Sequence, residues 1–245
     1  MKILKEIFGR IWALWAALLF ITTMLVAIFF YIPCFLLKEP AAGKWHRAVS
    51  RVWMTVFLNL VGCPLKVKGA HYFSKTQNYV VISNHNSFMD VPISTPFMPH
   101  ANKTIAKKEF AAIPIFGWIY AAGSVLVDRK STESRAKSYE KMRRVLELGL
   151  DMVIYPEGTR NRTELPLKSF YDGAFRLATD TGTPIMPVLI FHTKKVLPPH
   201  KPFFMLPHHL EMHFLPPVEA AHKKPAELKQ QLYTLMTDYY VTHDR

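Results

Sequence analysis

Acidic residues are scarce in this 245-residue chain: 18 Asp and Glu stand against 31 Lys and Arg, for a formal charge of +13. Such an imbalance draws a protein toward anionic surfaces or substrates, and charge alone leaves nucleic acid and anionic lipid both open. Cysteine is nearly absent. The two copies, Cys34 in an apolar run and Cys63 between Gly62 and Pro64, read as buried, reduced thiols in a reducing compartment rather than a disulfide framework. No glycine-rich nucleotide loop occurs, which argues against an ATP- or NAD-dependent enzyme. His208, His209 and His213 have neither a cysteine pair nor a His-Glu-x-x-His helix beside them, so no metal site and no cofactor is expected. Internal repeats and low-complexity segments are also lacking. The basic residues are not organised around a recognisable nucleic-acid module, which leaves lipid as the favoured anionic partner.

Charge disappears altogether between Ile11 and Leu37, with Arg10 and Lys38 bracketing the gap. That run exceeds the roughly 20 apolar residues needed to cross a bilayer. Half of all residues are hydrophobic and 13% aromatic, which excludes a disordered chain. The run is aromatic-rich and ends at Tyr31, Pro33 and Phe35, unlike the short core of a cleaved signal peptide, so it reads as retained. Basic residues flank it on both sides, Lys2, Lys5 and Arg10 before and Lys38, Lys44, Arg47 and Arg51 after, so the positive-inside rule gives no orientation. The same flanks allow a helix that dips into one leaflet and returns, bending at Pro33 and Pro40. A second apolar segment, Trp45 to Val61, repeats hydrophobics at helical spacing and stops at Gly62 and Pro64. Residues 1–62 therefore form an expected two-helix membrane motif with Trp12, Trp15, Trp45 and Trp53 as interfacial anchors. The alternative is that these helices only pack on the globular part.

From residue 63 to 245 short β-type runs alternate with helical ones. The runs are Leu65 to Lys68, Tyr79 to Ser83, Lys103 to Ala106, Ser124 to Val127, Met152 to Tyr155, Ile185 to His192 and His209 to Leu215. Helices are expected near Phe88 to Pro96, Ile115 to Ala122, Ser131 to Gly149, Gly173 to Thr181 and Pro225 to Tyr240. The last should bury Leu228, Leu232, Leu235, Met236 and Tyr239. This alternation predicts one α/β domain: a mixed, largely parallel sheet flanked by helices.

Two loops carry candidate chemistry. The first follows the strand ending at Ser83 and holds Asn84, His85, Asn86, Ser87 and, five residues after the histidine, Asp90. Ligands collect at the C-terminal ends of strands in such sheets, and a histidine there can take a proton near neutrality if a carboxylate fixes its tautomer. Residues five apart do not share a helix face, so the chain must turn between them. Ser87 supplies a helix N-cap for that turn, although Ser87-x-x-Asp90 is also a capping box that needs no catalytic histidine. The second loop is Pro156-Glu157-Gly158-Thr159-Arg160: Gly158 permits close backbone approach, Arg160 offers a donor fork for phosphate, and Glu157 could bind a substrate hydroxyl or pair with Arg160. Arg129, ending a third strand, is a further phosphate contact or simply a solvated strand end.

Taken together, Asn84-His85 with Asp90, the Asp128-Arg129 strand end, Pro156 to Arg160, and Pro184-Ile185-Met186-Pro187-Val188 resemble the four ordered motifs of the lysophosphatidic acid acyltransferase (1-acyl-glycerol-3-phosphate acyltransferase, PlsC-type) family. The resemblance implies the glycerolipid acyltransferase fold and a His85 base paired with Asp90. It also implies phosphate and glycerol contacts from Arg129, Glu157, Gly158, Thr159 and Arg160, and an acyl-binding role near Pro187. The donor it implies is a thioester, acyl-CoA or acyl carrier protein, with no cofactor. One departure stands out, since Phe170-Tyr171-Asp172-Gly173 lacks the lysine of the family's Phe-Lys-x-Gly cluster, for which Lys168 could substitute.

The expected function is fatty acyl transfer to the sn-2 hydroxyl of 1-acylglycerol 3-phosphate, forming phosphatidic acid in phospholipid biosynthesis. Asn84, or backbone N–H groups near Ser87, are the expected oxyanion donors. Expected partners are membrane lipids, the acyl thioester and lysophosphatidic acid, without nucleic acid. Expected placement is a membrane, the inner membrane in a bacterial cell, with the catalytic domain facing the cytoplasm. The rival readings are a same-fold acyltransferase for another lyso-lipid, such as a lyso-aminolipid or lipid A precursor, and a non-catalytic lipid-binding protein.

Overall fold

Each of the seven extended runs forms a strand. The computed structural model describes residues 2–128 and 130–244. Strands β1 (Leu65–Lys68), β2 (Val80–Ser83), β3 (Asn102–Lys107), β4 (Ser124–Val127), β5 (Asp151–Ile154), β6 (Ile185–Phe191) and β7 (Leu210–Phe214) make one sheet in the order β1-β7-β6-β2-β5-β3-β4. The five strands from β6 to β4 are mutually parallel, β7 runs antiparallel to β6, and β1 pairs parallel with β7. At the centre, β2 sets Ile82 beside Ile154 of β5 and Pro187 of β6. All four β2 residues are buried, as expected of a continuous apolar strand covered on both faces.

The two covers have different origins. Val80 and Ile82 face a core shared with helices α5 (Thr132–Glu147), α6 (Gly173–Thr181) and α8 (Pro225–His243). Val81, pointing the other way, joins a core built by α1 (Lys2–Leu36), α2 (Ala41–Leu60) and α4 (Phe116–Ala122), where Trp53, Met54, Phe57, Leu58 and Ile119 meet Val153, Met186 and Val188. The short helices α3 (Asp90–Ser94) and α7 (Thr193–Val196) lie just beyond the ends of β2 and β6. Helix α8 buries Leu228, Leu232, Met236 and Tyr240 at an unbroken four-residue interval, while Leu235 is exposed and Tyr239 only half-buried.

The N-terminal helices contribute directly to the central core. Along α1 the buried positions Gly9, Ala13, Ala16, Met24, Ala27, Tyr31 and Cys34 recur on one stripe, small residues letting the helix sit close. A Cβ on Gly9 would come within 2.2 Å of the Phe204 ring. The opposite face presents Leu18, Ile21, Leu25, Phe29 and Phe30 outward. Of the four expected tryptophan anchors, only Trp15 and Trp45 are exposed. Trp53 is buried with its Nε1 donating to Thr23 Oγ1, and Trp12 donates to the Val61 carbonyl.

Arg47 and Arg51, read from sequence as flanking positive charge, turn inward. Arg47 Nε donates to the Met98 carbonyl at 2.6 Å, and Arg51 reaches the carbonyls of Pro96 and Phe97 at 3.2 and 2.9 Å. These carbonyls end the turn that follows α3, where cations are favoured and acceptors otherwise lack partners. Replacing Arg51 by Met keeps the apolar stem and removes the donors. The expected cost is about 1–3 kcal/mol, read as a lower thermal midpoint in detergent; an unchanged midpoint would show the carbonyls to be satisfied otherwise.

Candidate active site

Because β2 and β5 are parallel neighbours, the loops after them open on the same edge of the sheet. His85 and Asp90 meet there: His85 Nδ1 lies 2.8 Å from Asp90 Oδ2. The same oxygen accepts the backbone N–H groups of Asn86 and Ser87 at 2.6 and 2.8 Å. Asp90 has no exposure to solvent, and three donors on one oxygen offset the desolvation of its charge. With Nδ1 turned to the carboxylate, Nε2 is the nitrogen left for a substrate. Among the described residues it has no hydrogen-bond partner, and the side chain retains 17% exposure.

The turn that brings the pair together differs from the expected one. Helix α3 starts at Asp90, not Ser87, and Ser87 Oγ accepts from the Met89 N–H and donates to the Leu197 carbonyl. Half of the capping box is present nonetheless, since the Asp90 carboxylate reaches back to the Ser87 N–H. Of the expected oxyanion donors, the Ser87 N–H is occupied by Asp90, as is the Asn86 N–H beside it. Asn84 is occupied as well. It is fully buried, its amide nitrogen donates to the Ile190 carbonyl at 2.9 Å and its oxygen accepts the Ile190 N–H at 2.7 Å, so it pins the loop to β6.

Glu157 also takes a role different from the expected substrate contact. It is fully buried; Oε1 accepts the His85 N–H at 2.7 Å and Oε2 the Lys168 N–H at 3.0 Å. Both oxygens are thereby spent on holding the two loops in register, and the expected Glu157 and Arg160 pair does not form. The Asn161 N–H completes the link by donating to the His85 carbonyl at 2.6 Å. Gly158 has φ +69°, a conformation costly for any side chain, and a Cβ there would meet the Tyr171 ring at 2.7 Å. Thr159 is exposed and accepts from Lys168 Nζ at 2.7 Å, which places Lys168 at this loop.

Arg160 is half-buried, with its guanidinium 3.5 Å above the centre of the Phe88 ring. Arg129 lies outside the described residues. Pro187 is enclosed within β6 next to Ile82, inside the sheet rather than on an open wall, so the expected acyl contact does not arise from that side chain. Sequence reasoning passed over Tyr155, whose ring stacks on His85 at 4.4 Å, and Asn161. An aromatic residue directly before Pro156 was the available signal for Tyr155.

Burial pushes the Glu157 carboxyl up to about 7, against the pull of the two N–H donors. Its proton is therefore held more tightly in the folded chain than at the ordinary value of 4.5. The stability this gives is fully present below about pH 4.5 and is lost as pH rises through about 7. Glu157→Gln removes the titration. Relative to that variant, the wild type should lose up to roughly 3 kcal/mol between about pH 4.5 and 8, followed as the difference in thermal midpoint. A difference that stays flat with pH would exclude a buried titrating carboxyl.

A family model described as Acyltransferase matches residues 64–191. The chain is 32% identical over 175 residues to 1-acyl-sn-glycerol-3-phosphate acyltransferase alpha of Mus musculus, covering 69% of this chain and 60% of that protein. It is 31% identical over 163 residues to the 1-acyl-sn-glycerol-3-phosphate acyltransferase of Saccharomyces cerevisiae, covering 64% and 54%. The chain thus spans between half and three-fifths of the length of these curated relatives. Among solved structures, the 1-acyl-sn-glycerophosphate (LPA) acyltransferase PlsC from Thermotoga maritima superposes with a TM-score of 0.80 at 20% identity, over 99% of this chain and 97% of that one. That likeness shows a common fold. Because the matched span runs from the start of β1 to the end of β6 and contains both loops of the rim, the chain belongs to the acyltransferase family.

Proposed function

We propose that the protein transfers a fatty acyl group from acyl-CoA or acyl carrier protein to the sn-2 hydroxyl of 1-acylglycerol 3-phosphate, forming phosphatidic acid. The observation that carries this reading is a histidine with one nitrogen fixed by a buried carboxylate and the other without a partner among the described residues, on the same rim as Arg160. The names of the relatives support the acceptor.

In the proposed mechanism His85 Nε2 removes the proton of the acceptor hydroxyl as its oxygen attacks the thioester carbonyl. Asp90 stabilises the imidazolium that forms. Collapse of the tetrahedral intermediate breaks the carbon–sulfur bond, and the imidazolium returns its proton to the departing thiolate. No covalent enzyme intermediate is required. Arg160 offers fixed donors and charge to the acceptor phosphate, and Lys168, bonded to the preceding Thr159, adds positive charge to the same loop.

Purified protein given one acyl thioester and a panel of acceptors tests this directly, with thiol release and product lipid as readouts. His85→Ala should abolish turnover in a protein that remains folded. Asp90→Asn should lower activity further than stability. Arg160→Ala should raise KM for lysophosphatidic acid about tenfold or more, and an unchanged KM would argue against phosphate binding there. A preference for an acceptor without phosphate would point to another lyso-lipid.

The apolar face of α1 supports a seat on a membrane. Its other face is attached to the domain from Gly9 to Cys34, which favours a helix lying in one leaflet over one standing free across the bilayer. Free, buried cysteines agree with a catalytic domain facing the cytoplasm. Deleting residues 1–62 would uncover one face of the sheet, so substitution is the cleaner test. Leu18→Glu, Leu25→Glu and Phe29→Glu together should keep the fold but shift the protein from vesicles into the soluble fraction; undiminished sedimentation with vesicles would remove this seat.

A further inference from the structure

Two ring contacts cross between the loops of the rim, in opposite directions. Tyr155, at the end of β5, is buried with its ring stacked against the His85 imidazole, centroids 4.4 Å apart and planes 28° from parallel. Its hydroxyl lies 2.7 Å from Ser94 Oγ, and burial beside the Asp90 carboxylate keeps it protonated by pushing its ionisation upward. Ser94 stands four residues after Asp90 on α3, so both side chains leave the same helical face. Helix α3 therefore grips the imidazole twice, at its edge through Asp90 and on its face through Ser94 and Tyr155.

The second contact runs the other way. Phe88 belongs to the His85 loop, is 53% exposed, and has its ring beneath the guanidinium carbon of Arg160 of the β5 loop, 3.5 Å from centroid to carbon. Among the described residues Arg160 has no carboxylate within ion-pair distance, so no acidic group fixes its fork. A ring face attracts a cation without occupying its N–H edges, which leaves those donors for an anion. A carboxylate in the same place would hold the arginine equally well but would compete with a phosphate.

We propose that Phe88 and Tyr155 are a reciprocal pair of positioning residues, the ring from each loop setting the plane of the functional group on the other. Tyr155 orients the base and Phe88 orients the anion-binding arginine. The assignment rests on the proposed acyl transfer to a phosphate-bearing acceptor. It requires π faces rather than bulk, and it separates the two rings kinetically, because one serves proton transfer and the other serves acceptor binding.

The full chain in lipid vesicles is assayed with lysophosphatidic acid and either acyl-CoA or acyl carrier protein thioester, and wild-type turnover by itself tests the function. Tyr155→Leu is expected to lower kcat about tenfold with KM for lysophosphatidic acid nearly constant, and Tyr155→Phe to restore most of kcat. Phe88→Leu is expected to raise that KM about tenfold with kcat nearly constant, and Phe88→Tyr to restore it. Leucine variants that match wild type, or losses in kcat and KM that move together in both variants, overturn the pair. Should wild type turn over neither donor, the function fails separately, and the pair is then read from modification of His85 by diethyl pyrocarbonate, followed on its peptide by mass spectrometry. Tyr155→Leu should speed that modification severalfold while Tyr155→Phe leaves it at the wild-type rate; equal rates in all three proteins overturn the assignment.

Discussion

A single buried oxygen, Oδ2 of Asp90, receives the His85 imidazole and two consecutive backbone N–H groups. Removing a carboxylate from water is costly enough that the surrounding chain must supply donors, and the nearest donors are the residues just before it. The chain between His85 and Asp90 is therefore curled around the carboxylate, which explains a five-residue separation that neither a helix nor a strand would bring into contact. Helix α3 begins where the curl ends. Its position is then secured from outside by Arg47 and Arg51 of α2, which hold the carbonyls at Pro96 to Met98. The apolar N-terminal helices and the base are in this way two ends of one chain of contacts.

The secondary structure was largely legible because its determinants are local. Strands buried on both faces read as uninterrupted apolar runs, and Val80 to Ser83 is the clearest of them. Helix boundaries moved by a few residues where a side chain had two uses: Ser87 looked like a cap, yet its hydroxyl is bonded to Met89 and Leu197, the latter more than a hundred residues away. In α8 the apolar set Leu235, Met236, Tyr239 and Tyr240 covers more than one stripe, and periodicity could not say which part of it faces inward. Only packing against α6 and β6 decides that.

The site was legible in its residues and less so in their roles. Spacing alone is a modest argument for His85 and Asp90, and the ordered later motifs single them out; the structure brings them within 2.8 Å. Glu157 and Arg160 look like a local ion pair because they are three apart, but Glu157 finds two backbone donors in a dry interior and Arg160 finds a ring. With both Glu157 oxygens taken by the His85 and Lys168 N–H groups, none is left for Arg160. Tryptophan misled in the same way. Trp12 and Trp53 pair their indole nitrogens with protein acceptors, so being aromatic near a membrane segment does not by itself place a side chain in the interface.

The sheet separates two environments that the proposed reaction needs together. One of its faces is covered by α1 and α2, whose outer surface is apolar, while its C-terminal edge carries His85, Arg160 and Lys168. An acceptor with a hydrocarbon tail and an anionic head has matching parts in a matching order, and a hydroxyl lying between them would fall near the base. Holding that hydroxyl in place demands that the imidazole and the guanidinium keep a constant separation. Hydrogen bonds from Glu157 and Asn161 fix the backbones of the two loops but not the planes of the side chains they carry. The crossed rings of Tyr155 and Phe88 supply that remaining constraint, and they do so without placing a second charge beside either the base or the anion.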